Sequence, residues 1–180
     1  RSKTIAQRRQ EAMEEKSQLL RNIEQADALK VSQLPYRAPR LVSLDHVSIV
    51  YGEKAVCSDV SFTIERGDRI ALRGRNGSGK SSILKLICGQ DIPYTGNLQV
   101  GGGLKISYVS QDTSFLRGSL SDLAREGGID ESLFKAILRK LDFERVQFEK
   151  DMAEFSGGQK KKVLIAKSLC EESNLLVWDE

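Results

Sequence analysis

The chain has 180 residues, 39% hydrophobic and 29% charged, a composition typical of one soluble domain with its own core and a short appendage. No apolar run approaches the roughly 20 residues of a membrane-spanning helix, and the sequence starts without Met or an apolar signal region, so we expect part of a longer, non-membrane protein. The formal charge of +3 arises in residues 1–40, where there are nine basic residues and five acidic ones.

Residues 1–32 contain neither Gly nor Pro, and apolar residues recur there every seven positions, at Ile5, Ala12, Leu19 and Ala26. This pattern predicts one long charged helix with a narrow apolar seam that needs a helical partner. Pro35 and Pro39 end the helix and form an extended connector, so residues 1–40 make up the first predicted segment. Their charge fits either a solvated helix or a helix near an anionic polymer.

From Leu41 onward the pattern is that of strands mixed with helices. Strict alternation over residues 41–50 predicts a strand with Leu41, Ser43, Asp45, Val47 and Ile49 on one face. Further strands are predicted over residues 56–64, 69–72, 98–100, 105–109 and 175–178. Helices are predicted over residues 80–88, within 119–148, and over 157–169.

The three cysteines, Cys57, Cys88 and Cys170, are odd in number and far apart. This arrangement excludes a disulfide framework and a zinc site built on cysteine pairs. Three unpaired thiols in apolar stretches suit a reducing compartment, and we therefore expect a cytoplasmic protein.

Residues 74–81 match the phosphate-binding pattern G-x-x-x-x-G-K-[ST] at every fixed position, between a predicted strand and a predicted helix. Glycines let backbone N–H groups turn inward around phosphates, and the helix N-terminus adds positive potential. Lys80 is expected to reach the β- and γ-phosphates of ATP, and Ser81 to ligate Mg²⁺. The predicted nucleotide-binding residues of this loop are Gly74, Asn76, Gly77, Ser78, Gly79, Lys80, Ser81 and Ser82.

Two further segments carry candidate chemistry. The apolar strand that ends at Trp178 is followed by two carboxylates. Asp179 suits Mg²⁺, either as a direct ligand or as a group that holds one of its ligands, and Glu180 suits orientation or activation of an attacking water. Residues 156–159 open a helix with Ser156 as N-cap, followed by Gly157, Gly158 and Gln159. The two glycines allow close approach of a second backbone or of an anion, so the chain has two helix N-termini suited to phosphate.

These segments together resemble the ATP-binding-cassette (ABC) ATPases. Residues 155–159 match the signature motif of that family, with Phe155 where Leu is commoner, and residues 74–81 and 175–179 match its Walker A and Walker B motifs. The resemblance implies that Gln111 is the Q-loop glutamine, which senses Mg²⁺ and the γ-phosphate, and that Tyr51 stacks on adenine. It also implies that two cassettes pair head to tail, each signature closing on the other's ATP.

The resemblance sets the expected architecture: an α/β P-loop NTPase cassette over residues 41–180, with a mixed central sheet, an antiparallel β subdomain and a helical subdomain at about residues 112–170. The family's D-loop and switch histidine would follow Glu180, and His46 lies too early to be that switch. The cassette is therefore expected to be C-terminally incomplete. We expect the parent protein to hydrolyse ATP and the isolated chain to be inactive.

Within the family, the leader helix resembles the linker between the two cassettes of ABC-F proteins, which lack a membrane domain and act on ribosomes. Residues 143–151 and 155–163 look like the second cassette of bacterial ABC-F proteins of the antibiotic-resistance type. The resemblance implies a second cassette and ribosomal RNA as partners. The alternatives are the ATPase subunit of a membrane transporter and a non-catalytic nucleotide-binding module.

Overall fold

The computed structural model describes residues 33–179. The predicted linker helix over residues 1–32 and the predicted catalytic Glu180 lie outside the described residues. The strands are β1 (Arg40–Tyr51), β2 (Lys54–Glu65), β3 (Tyr94–Val100), β4 (Ile106–Val109) and β5 (Leu175–Trp178). The α-helices are α1 (Lys80–Ile87), α2 (Leu120–Glu126), α3 (Glu131–Lys140) and α4 (Gly157–Cys170), with 3₁₀ turns at Arg145–Glu149 and Met152–Glu154.

β1, β2 and β3 form an antiparallel sheet in the order β2-β1-β3. A two-residue turn joins β1 to β2, where Tyr51 pairs with Lys54 and Gly52 takes a positive φ of 61°. One face of the sheet packs against α1, through Val42, Val47 and Ile49 from β1 and Ile83 and Ile87 from the helix. This packing holds the N-terminus of α1 beside the sheet.

The predicted strict alternation along β1 is wrong, because a β-bulge shifts its phase. The register with β2 slips between Leu44 and Val47, and His46 has a φ of +49°. Val42 and Leu44 face the core before the bulge, whereas Val47 and Ile49 face it afterwards. Asp45, predicted on the same face as Val47, is exposed. One extra residue in a strand reverses which positions are buried.

β4 and β5 form a parallel pair in which Ile106 lies opposite Leu175 and Val109 opposite Trp178. The carboxyl ends of both strands therefore meet at one edge. The strand predicted over residues 69–72 is absent, because no strand among residues 33–179 pairs with that segment. The segment has no regular secondary structure and leads into the P-loop, and the Ile70 side chain is exposed.

The helical part follows β4, and its helices lie in the predicted helical ranges, with α4 ending one residue later. Gly127 and Gly128 separate α2 from α3. Side-chain oxygens cap three of its helices at their N-termini: Ser119 on α2, Asp130 on α3 and Ser156 on α4. Its core contains the buried side chains of Leu120, Phe134, Leu138, Met152 and Val163. The expected α/β cassette, with an antiparallel β part and a helical part, is confirmed.

Within residues 33–179, the helices are all too short or too polar to span a lipid bilayer.

Candidate nucleotide-binding site

The loop that precedes α1 is built for a close backbone approach. Gly77 and Gly79 have φ values of 81° and 85°, which side-chain-bearing residues rarely adopt. A Cβ at Gly79 would lie 3.0 Å from Val56 O and 3.1 Å from Cys57 Cβ, so β2 also excludes a side chain there. No side chain caps the helix start at Gly79 and no acidic residue lies in its first turn. The first N–H groups of α1 are thus available to an anion.

Lys80 lies at the start of α1 and folds back over this loop. Its Nζ donates hydrogen bonds to Gly74 O at 2.8 Å and to Arg75 O at 3.0 Å. The ammonium group is therefore held at the mouth of the loop, where it would meet a phosphate entering the site. An incoming phosphate would offer it stronger, charge-assisted hydrogen bonds than these two carbonyl groups.

The predicted Mg²⁺ residues of the two Walker motifs are in contact. Ser81 Oγ donates a hydrogen bond to Asp179 Oδ1 at 2.9 Å, and the Asp179 side chain is buried. Two neighbouring ligands of an octahedral Mg²⁺, each about 2.1 Å from the metal, lie about 3 Å apart. The pair of oxygens fits one edge of such an octahedron. Residues 33–179 hold no cluster of three His, Cys, Asp or Glu side chains, so waters and phosphate oxygens would supply the other ligands.

Asp179 is fixed by its own main chain and by a half-buried phenol. Its N–H donates to Val109 O at 2.8 Å, which extends the β4–β5 ladder by one residue. Its Oδ2 accepts a hydrogen bond from Tyr108 Oη at 3.3 Å. Burial, together with the charge of Asp179, raises the pKa of Tyr108 to about 12. Tyr108 is therefore a protonated donor toward Asp179 throughout the neutral range.

Two other predicted residues border the same site. Tyr51, at the end of β1, donates a hydrogen bond from its Oη to Ser82 Oγ at 3.2 Å, and the ring is 43% exposed. The ring is thus tied to α1 with a face free to stack on a base. Gln111 is exposed two residues after β4, at the edge where Asp179 follows β5, and its side chain forms no hydrogen bond with the described residues.

The predicted signature residues form a regular helix start. Ser156 and Gln159 complete a capping box, with Gln159 N donating to Ser156 Oγ at 3.2 Å and Ser156 N donating to Gln159 Oε1 at 2.9 Å. A Cβ on Gly157 or Gly158 would meet no atom of residues 33–179 within 4 Å. Within residues 33–179, no hydrogen bond joins residues 156–159 to the P-loop. Packing within residues 33–179 therefore does not require glycine at positions 157 and 158.

The structure adds two residues that the sequence analysis did not select, Tyr108 and Lys161. Lys161 Nζ donates to Ser110 O at 3.1 Å and to Asp179 O. Tyr108 had no motif to mark it, since it is one aromatic in a short strand. Lys161 lies in a run of three lysines after Gln159, and nothing in the local sequence distinguishes it from Lys160 and Lys162.

The sequence profile of the ABC transporter family matches residues 57–180, which include every P-loop and signature residue named above. Among solved structures, a metal-chelate-type ABC transporter in an inward-facing conformation superimposes with a TM-score of 0.61 and 25% identity. That likeness covers 78% of this chain and 61% of the transporter chain.

The individual relatives are of two kinds: proteins described only as ATP-binding, and a protein described as a zinc import ATP-binding protein. ATP-binding protein Uup of Buchnera aphidicola is 32% identical over 169 residues, covering 89% of this chain and 28% of Uup. Probable ATP-binding protein YheS of Escherichia coli is 31% identical, covering 81% of this chain and 24% of YheS. Zinc import ATP-binding protein ZnuC of Roseobacter denitrificans is 35% identical, covering 78% of this chain and 56% of ZnuC. The chain thus spans about a quarter of Uup and YheS.

Proposed function

This chain belongs to the ABC transporter family of ATP-binding proteins, and from that premise we propose that it binds ATP with Mg²⁺ and forms one half of a paired, ATP-hydrolysing site. The observation that carries the proposal is the contact between Ser81 Oγ and Asp179 Oδ1. A P-loop hydroxyl and a strand-end carboxylate at octahedral spacing are the protein ligands that a Mg²⁺–nucleotide complex requires.

Each part of the site has a distinct task. The N–H groups of residues 74–82 surround the phosphates, and Lys80 moves from the Gly74 and Arg75 carbonyl groups to the β- and γ-phosphates. Tyr51 stacks on the adenine, and Gln111 reaches toward the γ-phosphate from the end of β4. Bound Mg²⁺ would neutralise charge on the phosphates. Glu180, which follows Asp179 in sequence, is proposed to polarise the attacking water.

The signature residues belong to the paired site of a second cassette. No atom of residues 33–179 would meet a Cβ added to Gly157 or Gly158, and the capping box leaves the start of α4 regular. Lys160, at the end of the first turn of α4, adds positive charge there. A phosphate held by another P-loop is the ligand that such a surface suits.

We further propose that the parent protein is an ABC-F ATPase that acts on the ribosome in the cytoplasm, as a translation factor or in antibiotic resistance. The charged segment over residues 1–32, which is predicted to form a helix, and the sequence of residues 143–151 support this. The relatives add support: 169 residues are 28% of Uup, which makes Uup about 600 residues long, enough for two cassettes.

The second candidate is the ATPase subunit of a membrane transporter. It is favoured by the 35% identity to ZnuC, in which 151 residues are 56% of the chain, so that ZnuC is about 270 residues long and has room for one such cassette. A transporter subunit has no use for a basic leader of 40 residues. Ribosome binding separates the two candidates.

ATP binding is tested with Lys80→Ala. Loss of a charge-assisted contact worth about 1.5–3 kcal/mol lowers ATP affinity roughly 10- to 150-fold. The matched control is Lys85→Ala on the same helix, whose side chain forms no hydrogen bond or ion pair within residues 33–179. Unchanged affinity in Lys80→Ala would overturn the assignment of this loop.

Ribosome binding is tested by co-sedimentation of the parent protein over a series of salt concentrations. Contacts to RNA phosphates weaken as salt rises, so binding is expected to fall with ionic strength. Reversing the charges of Arg8, Arg9 and Arg21 should weaken binding further. If this variant binds the ribosome as well as the unmodified protein at every salt concentration, residues 1–40 do not contact the ribosome.

A further inference from the structure

Lys161 joins three elements around the proposed Mg²⁺ residues. It lies in the second turn of α4, and its Nζ donates to Ser110 O at 3.1 Å and to Asp179 O. Ser110 is the first residue after β4, and Asp179 the first after β5. One ammonium group therefore holds the ends of both parallel strands against the helix that begins with the signature glycines.

A second set of contacts fixes the same helix to the same strands. Trp178 Nε1, at the end of β5, donates to Ser168 Oγ at 3.0 Å. Ser168 Oγ in turn lies 2.7 Å from Ser107 Oγ on β4. Between these contacts and Lys161, the helix buries Val163 and Ala166 completely. Two sets of hydrogen bonds thus join helix α4 to the β4–β5 pair, one at Lys161 and one at Ser168, and buried apolar side chains pack between them.

We infer that Lys161 is a positioning residue for Asp179, through which the helix carrying the signature glycines fixes the carboxylate that faces Ser81. The inference rests on the proposed function, because it names what holds the Mg²⁺ pair of that site. Lys161 acts on the main chain of Asp179, while Ser81 and Tyr108 contact the two carboxylate oxygens. Its removal frees the Asp179 carbonyl group without touching either carboxylate contact.

A lysine suits this place for a chemical reason. Ser110 O and Asp179 O lie beyond the regular ladder, and buried carbonyl groups need a donor. An ammonium group offers three donors and accepts nothing, so it serves both carbonyl groups at once. The side chain of Lys162, the next residue, forms no hydrogen bond or ion pair with any residue the structure describes, which makes it a matched control.

The fluorescence of Trp178 can report on Mg²⁺ binding next to Asp179. Trp178 is the only tryptophan in the chain, it precedes Asp179, and its indole is bonded to α4. Its fluorescence is measured while Mg²⁺ is titrated at a fixed, saturating ATP concentration, and while ATP is titrated in EDTA. The titrations compare the unmodified chain with Lys161→Met, Lys161→Arg and Lys162→Met, after circular dichroism has checked that each is folded.

We expect Lys161→Met to weaken apparent Mg²⁺ affinity about 10-fold, the lower end of the effect of removing an outer support of a metal ligand. ATP affinity in EDTA should stay the same. Lys161→Arg should restore most of the Mg²⁺ affinity, and Lys162→Met should not change it. Lys161→Ala gives the same test if the Met variant does not fold.

Two results would overturn the inference. One is an unchanged Mg²⁺ affinity in a folded Lys161→Met or Lys161→Ala variant. The other is an equal loss of ATP affinity with and without Mg²⁺, which marks general damage to the fold. A folded, unmodified chain that binds no ATP would instead overturn the proposed function, and the inference with it.

Discussion

Ser81 Oγ and Asp179 Oδ1 lie 2.9 Å apart although 98 residues separate them in the sequence. Ser81 is in the first turn of α1, and Asp179 follows β5, so the contact joins the P-loop to the carboxyl edge of the parallel pair. Because two separate motifs supply one pair of oxygens, the pair is the most direct structural evidence for a Mg²⁺–nucleotide site in this chain.

Asp179→Asn should remove the Mg²⁺ dependence of ATP binding. The amide keeps the shape and an acceptor oxygen for Ser81, but it lacks the negative charge that holds a divalent cation. We expect the affinity gained on adding Mg²⁺ to fall about 10-fold or more, with binding in EDTA unchanged. Calorimetric titration of ATP in both conditions measures this.

The control for that variant is Asp91→Asn, which neutralises an exposed carboxylate after α1. It should leave both affinities as they are. If Asp179→Asn and Asp91→Asn behave alike, Asp179 is not a ligand of the metal.

Gly158→Ala should raise the free energy of unfolding and lower ATP turnover. Nothing within 4 Å would meet the added Cβ, and Ala is a better helix former, so the free energy of unfolding should rise by up to about 1 kcal/mol. In the paired protein, the methyl group would push the partner nucleotide away from the start of α4. A displacement of about 1 Å lowers turnover about 100-fold. Thermal unfolding and phosphate release measure the two effects.

Lys162→Ala on the same helix should change neither quantity. If Gly158→Ala retains full turnover in the paired protein, the start of α4 does not approach a nucleotide.

His46 should titrate above its ordinary value because of Asp59. The two side chains form a hydrogen bond across the β-bulge, which raises the pKa of His46 from 6.5. The stabilising contribution of the pair is therefore complete below pH 6.5 and is lost as the pH rises through the folded-state pKa. His46 is the only histidine, so NMR titration reports it without ambiguity.

Asp59→Asn is expected to lower the pKa of His46. Urea unfolding at a series of pH values should then show a weaker loss of stability toward high pH than in the unmodified chain. A pKa for His46 that is the same in both proteins would exclude the pairing in solution.

Glu180→Gln in the parent protein should keep ATP binding and abolish turnover. The amide has the shape of the carboxylate but neither takes up a proton nor polarises water with a charge. The 180-residue chain contains no histidine after the P-loop and no second signature. We therefore expect it to release phosphate negligibly, with or without the substitution. Steady-state phosphate release from both proteins measures this, and robust turnover by the chain, abolished by Lys80→Ala, would contradict it.

The features that the sequence determined by itself are those set by local physics. The glycines at positions 77 and 79 are needed for a positive φ, and the capping box of Ser156 and Gln159 lies within one turn. Both follow from the conformational preferences of a few residues that are adjacent in sequence. The same holds for β4, β5 and the helix starts.

Only the tertiary structure decided which distant groups meet. The bulge at His46 depends on pairing with β2, and the predicted strand over residues 69–72 failed for lack of a paired neighbour. Tyr108 and Lys161 reach Asp179 only because parallel pairing brings the ends of β4 and β5 together under α4. A hydrogen bond depends on positions in space to within a few tenths of an ångström, and such positions are set by long-range strand pairing and core packing rather than by the residues adjacent in sequence.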